Sequence, residues 1–556
     1  MGQLRTLGAS QDRGRIPRPR PLVLVALAAV ALLSLGLQVW GIGGDLPYAP
    51  DIDEPIFLQA TLRAVHHVSL NPGWFGNPGS TTIYPIAALI EIWYLIAHHV
   101  PPFAHPMVSI SREFASNPLP FYLIGRLVSV AYGVGSVVAL WLLARRILGD
   151  VGGVIATLVL PATAIVVAYG HLTRTDTAGL FFALVALWLI LRAMEVGRFG
   201  AWALAAAAIG LAVSSRYFFA TLIVPYGVAA WLWLGASPGR PGIPRALRGR
   251  SMVPTGAVLL APVAFLVTSP FVLLDLSRSV ADIRHEARTV HPGADGLSPI
   301  GNLLWYLGDI VPATFSPGLI LLTILGVIVL WRRNGRALAV LAAFAVSYLL
   351  GVSASPLHWD RYVIPLVPVV GIAAAAGVLA IRDLAVASVS RWRASQREAE
   401  GSRAPMRTSI SSGILAISVT GAILIALLLP PLAAVVATDR LRAQPGIRAV
   451  ATDWIIANLP AGSRIVEENG SAYGAAGSDV LRVFSLSDRS LDAYRADGFQ
   501  YLVSTSGMAD RFQDAATYPK EHAFYAALEA TGRLVASFQP GPEHGGNWIR
   551  VYQIMP

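Results

Sequence analysis

The chain has 556 residues, of which 55% are hydrophobic and only 13% charged, with a mean hydropathy of +0.59. Soluble domains carry roughly 25% charged residues, so this composition excludes a water-soluble globular protein and points to a polytopic membrane protein. The formal charge of +10 is almost wholly arginine (the one lysine is Lys520), and the lack of cysteine excludes disulfides and thiolate metal sites.

Residues 1–20 are a basic N-terminus carrying Arg5, Arg13, Arg15, Arg18 and Arg20. The apolar run that follows, PLVLVALAAVALLSLGLQVW (21–40), exceeds the ~7–15 residues of a secretory signal and has no small-residue cleavage site after it, so it reads as an uncleaved first membrane helix. Further runs near the ~20 residues that span a bilayer lie at 120–143, 152–169, 177–194, 200–214, 217–235, 253–269, 317–331, 337–353, 362–381 and 410–436. The segment YPIAALIEIWYLIAHH (84–99) is a further candidate.

Charge decides how 84–99 is read. If it crosses, every later basic loop falls on the side opposite the N-terminus. If it lies at the interface or re-enters, the N-terminus shares one side with Arg145/Arg146, Arg192/Arg198, Arg240/Arg245/Arg248/Arg250, Arg332/Arg333/Arg336 and the stretch Arg382–Arg407. The positive-inside rule selects the second arrangement, with about eleven crossings, a cytoplasmic N-terminus and an external C-terminus. The net charge is then a topology signal, and no nucleic-acid partner is implied.

The other face collects the unusual polar residues: the loop 41–119 with Asp51, Asp53 and Glu54, and the turns YGHLTRTD (169–176) and SSRY (214–217). The loop 270–300 and the turn SPLHWDRY (355–362) join them. From about 438 the composition changes. Strand-like stretches (463–468, 499–505, 533–538, 547–554) alternate with helical ones (447–459, 522–532), which predicts a small α/β domain of roughly 120 residues, extracytoplasmic by the same topology. The expected organisation is a cytoplasmic N-terminus (1–20), a membrane domain (21–437) and an α/β domain (438–556).

In DIDEPIFLQATLRAVHHV (51–68), Asp53 suits an N-cap, with Glu54 and Pro55 in the first turn. Phe57, Ala60, Ala64, Val65 and Val68 share one face of the helix. Capping accounts for one acid and leaves the others open to chemistry. Asp176 opens a membrane helix and with Thr173 resembles a capping box, yet an acid at the edge of a spanning helix is costly and often functional. His171 and Arg174 stand beside it. Arg126, Arg216 and Arg361 either snorkel to the interface or converge on an anion, which guanidinium binds bidentately. Histidines 66, 67, 98, 99, 105, 171 and 358 have no metal-ligand spacing and read as surface or interfacial residues. A divalent cation at Asp51, Asp53 or Asp176 stays open.

The Asp-Glu pair in DIDEPIFLQA resembles that of the GT-C fold glycosyltransferases, closest to the protein O-mannosyltransferases and the lipid A aminoarabinose transferases. The resemblance continues through NPGWFGNPGSTTIYP (71–85), YLIGRLVSVAYGVGSVVALWLLARRILG (122–149), YGHLTRTDTAGLFF (169–182), SSRYFFATLIVP (214–225) and RYVIPLVPVVGIAAA (361–375). It implies a polyprenyl-phosphate sugar donor and a glycan, lipid or protein acceptor, in an enzyme of the inner (plasma) membrane. It further implies Asp53 as catalytic base, assisted by Glu54 and Asp176. Arg126, His171, Arg174, Arg216, His358, Arg361 and Tyr362 are the expected substrate-binding residues. Arg174, two positions before the acid, departs from the commoner wording of the motif. A flippase of lipid-linked sugars and a non-catalytic binding module are the alternatives. A flippase would place charges near the bilayer midplane, whereas here they gather at one surface.

Overall fold

The computed structural model describes residues 19–46, 51–66, 70–101, 109–235, 252–291, 296–399, 409–473 and 478–555. The expectations for residues 1–18, Arg240–Arg250, Arg403–Arg407, His67, Val68 and His105 lie outside these residues.

Among the described residues, eight helices are long and apolar enough to cross a membrane, and Phe199–Ser215 and Met252–Thr268 are shorter apolar helices. Leu119–Thr157 turns sharply at Gly149 (φ 77°, ψ 178°), a backbone angle that L side chains rarely adopt, and Pro317–Ser353 turns at Asn334. Each run therefore holds two helical segments joined at a sharp turn, and most of the segments expected to cross are helical throughout. The pass 152–169 is broken at 158–163, before Ala164–Gly170. Small residues bring helices close. A Cβ at Gly326 would lie 1.7 Å from the Ala373 carbonyl oxygen, and one at Gly377 would lie 2.5 Å from that of Leu322. Pro317–Ser353 thus packs backbone to backbone on Val367–Ala399.

Ser80–His99, 20 residues long, is one of these eight helices. At its start Ser80 and Thr81 hydrogen-bond Ser269 (2.8 Å) and Ser215 (2.6 Å), the ends of two spans. Near its finish Trp93 packs on Phe121 (5.2 Å) and His98 pairs with Glu113 (2.9 Å), beside the start of Leu119–Thr157. The Thr81 carbonyl also accepts from Tyr132 Oη (2.7 Å), so the helix packs along the first half of Leu119–Thr157. Further along that run Arg145 pairs with Asp150 (2.8 Å) and Arg146 with Glu195.

The last long helix, Ser409–Arg442, leads to a five-stranded sheet. Its strands are β1 (Arg464–Glu468), β2 (Asp479–Val483), β3 (Tyr501–Thr505), β4 (Arg533–Phe538) and β5 (Ile549–Gln553), in the order β2-β1-β3-β5-β4. β1 is parallel to both β2 and β3, whereas β5 is antiparallel to β3 and β4. Ile447–Asn458 covers one face with Ile447, Ala451 and Ile455; Pro519–Thr531 covers the other with Phe524 and Leu528. β3, buried along its whole length, is the apolar centre. The sequence pattern marks four of the strands. β2 escapes it because DVLRV is short and half-exposed.

Glu468 ends β1 fully buried. Its carboxylate accepts from Tyr525 Oη (2.5 Å), Thr505 N (2.7 Å), Ser504 Oγ (3.1 Å) and Leu486 N (3.2 Å). Burial outweighs these donors and pushes its pKa from the ordinary 4.5 up to about 7. The folded chain therefore binds this proton more tightly than the unfolded one. The Glu468 contribution to stability is fully present below pH 4.5 and is lost, by about 3 kcal/mol at most, as the pH rises to 7. Hydrogen exchange of β1 and β3 amides in the full chain, corrected for intrinsic rate, should show protection falling across this window. Glu468→Gln should flatten the slope; an unchanged slope would assign the effect to another group.

Candidate active site

The loop before Glu54–His66 sets the first carboxylates. Asp53 stands at the N-cap position, its carbonyl accepting from Ile56 N (3.0 Å) and Phe57 N (3.4 Å), but the side-chain cap comes from Asp51, whose Oδ1 accepts from the N–H of Asp53 (3.0 Å) and of Glu54 (3.1 Å). Burial raises the Asp51 pKa above its ordinary value in spite of Arg174 beside it. Freed from capping, Asp53 turns its carboxylate outward, and its side chain is 32% exposed against 19% for Asp51.

Arg174 organises the acids. Its Nη1 lies 2.9 and 2.8 Å from the two Asp51 oxygens, Nη2 donates to Asp53 Oδ2, and Nε stands 3.4 Å from Asp176 Oδ2. Asp176 is buried in the first turn of Asp176–Val196 and accepts from Arg216 Nη1. The helix N-terminus and two guanidinium groups compensate its charge. No capping box forms: Thr175 is the N-cap, and the Thr173 hydroxyl has no hydrogen-bond partner. Asp176 does not reach the cavity, but the two arginines it holds do. Arg361 approaches from the late turn Asp360–Leu366, with Nη2 3.5 Å from Asp53 Oδ2 and the guanidinium 4.9 Å from the Trp359 ring. The ring of Tyr362 lies 4.8 Å from the Arg216 guanidinium.

These groups form the floor of a cavity of about 880 Å³. All five polar segments of the sequence reading contribute to it: the 51–77 loop, Tyr169 and Arg174, Arg216–Phe218, the 283–291 segment, and 351–362. Asp51, Asp53, Arg174, Arg216, Arg361 and Tyr362 are thereby brought together.

The structure corrects the expected roles of four other residues. Glu54 is completely buried and bonds Arg126 through Nε (2.9 Å) and Nη2 (2.7 Å), while Thr173 N donates to it at 2.8 Å. Arg126 gives Nη1 to the carbonyls of Ile42 (2.6 Å) and Gly44 (3.2 Å). Both charges are used up inside the protein, and neither residue lines the cavity. His171 is also buried: Nε2 faces the Trp40 carbonyl (3.0 Å) and Nδ1 the Arg442 guanidinium (2.7 Å), tying together the first and last membrane helices. His358 packs edge-on against Trp305 at 4.4 Å, outside the cavity lining.

Among the described residues no three His, Asp or Glu side chains are placed to share one cation. Asp51, Asp53 and Asp176 converge on the Arg174 guanidinium instead, so the residues present do not fit a metal between them. The sequence reading missed Arg288, His291, Asn469, Phe484 and Arg511, which complete the far wall. None stands in a motif, and only the fold brings them here.

The family profile described as dolichyl-phosphate-mannose-protein mannosyltransferase matches residues 121–273. The putative mannosyltransferase YkcB of Bacillus subtilis (strain 168) is 34% identical over 94 residues, a stretch covering 17% of this chain and 13% of that protein. In three dimensions the chain is similar to the archaeal oligosaccharyltransferase AglB of Archaeoglobus fulgidus, solved with an inhibitory peptide and a dolichol-phosphate. The TM-score is 0.50 at 12% identity, over 95% of this chain and 74% of that one. ArnT of Cupriavidus metallidurans, solved with undecaprenyl phosphate, aligns with a TM-score of 0.49 at 14% identity, over 96% and 98% of the two chains. The chain is therefore a multi-pass membrane protein of the GT-C glycosyltransferase fold, with a core similar in sequence to the protein mannosyltransferases.

Proposed function

We propose that the chain is an integral-membrane glycosyltransferase that moves a sugar from a polyprenyl-phosphate donor to an acceptor hydroxyl by a single inverting displacement. One observation carries the reading: of the clustered acids only Asp53 is both substantially exposed to the cavity and within 3.5 Å of a cation that itself faces it, Arg361. Asp53 takes the proton of the acceptor hydroxyl as its oxygen attacks the anomeric carbon. The bond from that carbon to the phosphate oxygen breaks, and the polyprenyl phosphate leaves without needing a general acid.

Arg361 and Arg216 receive that phosphate. Both guanidinium groups line the cavity and can turn N–H donors toward an incoming oxygen. As the donor seats, Arg361 exchanges its long contact with Asp53 for the phosphate, which leaves the carboxylate open to the acceptor hydroxyl. Arg174 and Asp176 act as positioning residues. The dolichol-phosphate bound by the AglB relative supports this donor class. The cavity and C-terminal domain face the extracytoplasmic side of the inner membrane, with the N-terminus cytoplasmic.

Purified protein in nanodiscs, incubated with a set of polyprenyl-phosphate sugars, should release polyprenyl phosphate from at least one of them. Absence of release from every donor, together with movement of a donor across the bilayer, would replace this reading with a flippase.

A further inference from the structure

We infer that the C-terminal domain is half of the substrate site and that it holds the acceptor, a saccharide whose ring packs on Phe484 beside Asn469. The inference rests on the transferase reading above and extends it to the acceptor.

Three facts about the sheet carry it. Asn469 follows β1, Phe484 follows β2, and Arg511 lies in the short helical stretch after β3. All three therefore stand at the carboxyl ends of the parallel strands, and all three line the cavity. The order β2-β1-β3 sends the chain from β1 to one side and then back to the other, which makes the gap between β1 and β3 a topological switch point. Open α/β sheets bind ligands in the crevice outside such a point. In this chain that crevice opens on Asp53 and Arg361.

The wall is also fixed in place. Asn469 N donates to the Phe484 carbonyl (3.3 Å), which joins the two loops. Next to Asn469, the buried Glu468 carboxylate takes the N–H of Leu486 (3.2 Å) and of Thr505 (2.7 Å), so the loops after β2 and β3 are tied across the switch point. Glu468 is a positioning residue for this wall.

The chemistry of the surface selects the ligand. Phe484 is 40% exposed, a large aromatic side chain held at a cavity mouth. Its ring meets His291 at 6.0 Å, and His291 meets Trp359 at 5.4 Å, so aromatic faces run from the domain down to the turn bearing Arg361. Aromatic faces with a few placed polar groups suit a ligand that is apolar on its ring faces and polar at its edge, which describes a sugar ring. The Asn469 amide offers both a donor and an acceptor to ring hydroxyls. An acceptor seated here presents a hydroxyl toward Asp53 at the other end of the same cavity.

The test measures binding without turnover. Full-length protein in nanodiscs is titrated with a panel of lipid-free oligosaccharides (mannan, galactan and arabinan fragments) and, separately, with a Ser/Thr-rich 20-residue peptide. Wild type should bind at least one saccharide. Phe484→Ala and Asn469→Ala should each weaken it about tenfold or more, with Phe484→Trp staying close to wild type. Unchanged thermal unfolding of the variants keeps the comparison meaningful. Absence of binding to every saccharide, binding of the peptide alone, or saccharide binding indifferent to Phe484 and Asn469 would each overturn the proposal. A chain that binds saccharide yet releases lipid phosphate from no donor contradicts the transferase reading alone. One that turns over donor but binds no saccharide contradicts this subsite alone.

Discussion

Asp53→Asn is expected to lower turnover about a thousandfold while the protein stays folded and still binds its donor. A positioned general base contributes roughly 10²–10⁴-fold, and asparagine matches aspartate in shape but cannot accept the proton. The surroundings of Asp53 say what else changes. Asp51, Asp53 and Asp176 face Arg174, Arg216 and Arg361, three acids against three cations. Removing one negative charge leaves the cavity floor more positive and releases Arg361 from its 3.5 Å contact. Donor affinity should therefore be maintained or increase, and the loss should fall on kcat. Release of polyprenyl phosphate under saturating donor measures this. A variant that keeps turnover within tenfold of wild type would remove Asp53 from the role of base.

Glu54, the next residue, should behave in the opposite way. Its carboxylate has no path to the cavity and forms a buried two-point pair with Arg126. Glu54→Gln sets an amide N–H against a guanidinium N–H and leaves the arginine charge uncompensated. Breaking such a pair costs about 3–5 kcal/mol. The expected outcome is a large fall in the thermal unfolding midpoint and in yield, with loss of activity following loss of fold. Glu54→Leu combined with Arg126→Met should recover much of the stability, because burying neither charge is often neutral. The recovery stays incomplete, because the carbonyls of Ile42 and Gly44 lose their donor. Activity abolished in Glu54→Gln with an unchanged midpoint would instead place Glu54 in the chemistry.

The two neighbours show where sequence stops. In DIDEPIF the acids are alike by spacing, and any of them could cap the helix. Which one caps depends on the loop's path: Asp51 folds back onto the N–H groups of Asp53 and Glu54, and this leaves Asp53 free. Arg126 and His171 look like site residues because they are polar, near a membrane surface and beside other polar groups. Their partners, Glu54 and Arg442, lie 72 and 271 residues away. No local pattern can report such a pairing.

What the sequence by itself determined is the membrane class and the apolar segments that form its long helices. Hydropathy and arginine placement express the cost of burying charge in lipid, and that cost is written residue by residue. The same reasoning put Asp53, Arg216 and Arg361 on one surface, and four of the five strands follow from short apolar runs between helical stretches. The tertiary structure alone decided which carboxylates are neutralised inside the protein and which of the clustered acids is most exposed to the cavity. It alone brought Asn469, Phe484 and Arg511 to that cavity from the far end of the chain. The physical reason is that an ionisable group takes its role from the charge, donor or space it meets after folding. Those neighbours are fixed by helix packing and strand order, which the spacing of residues along the chain does not encode.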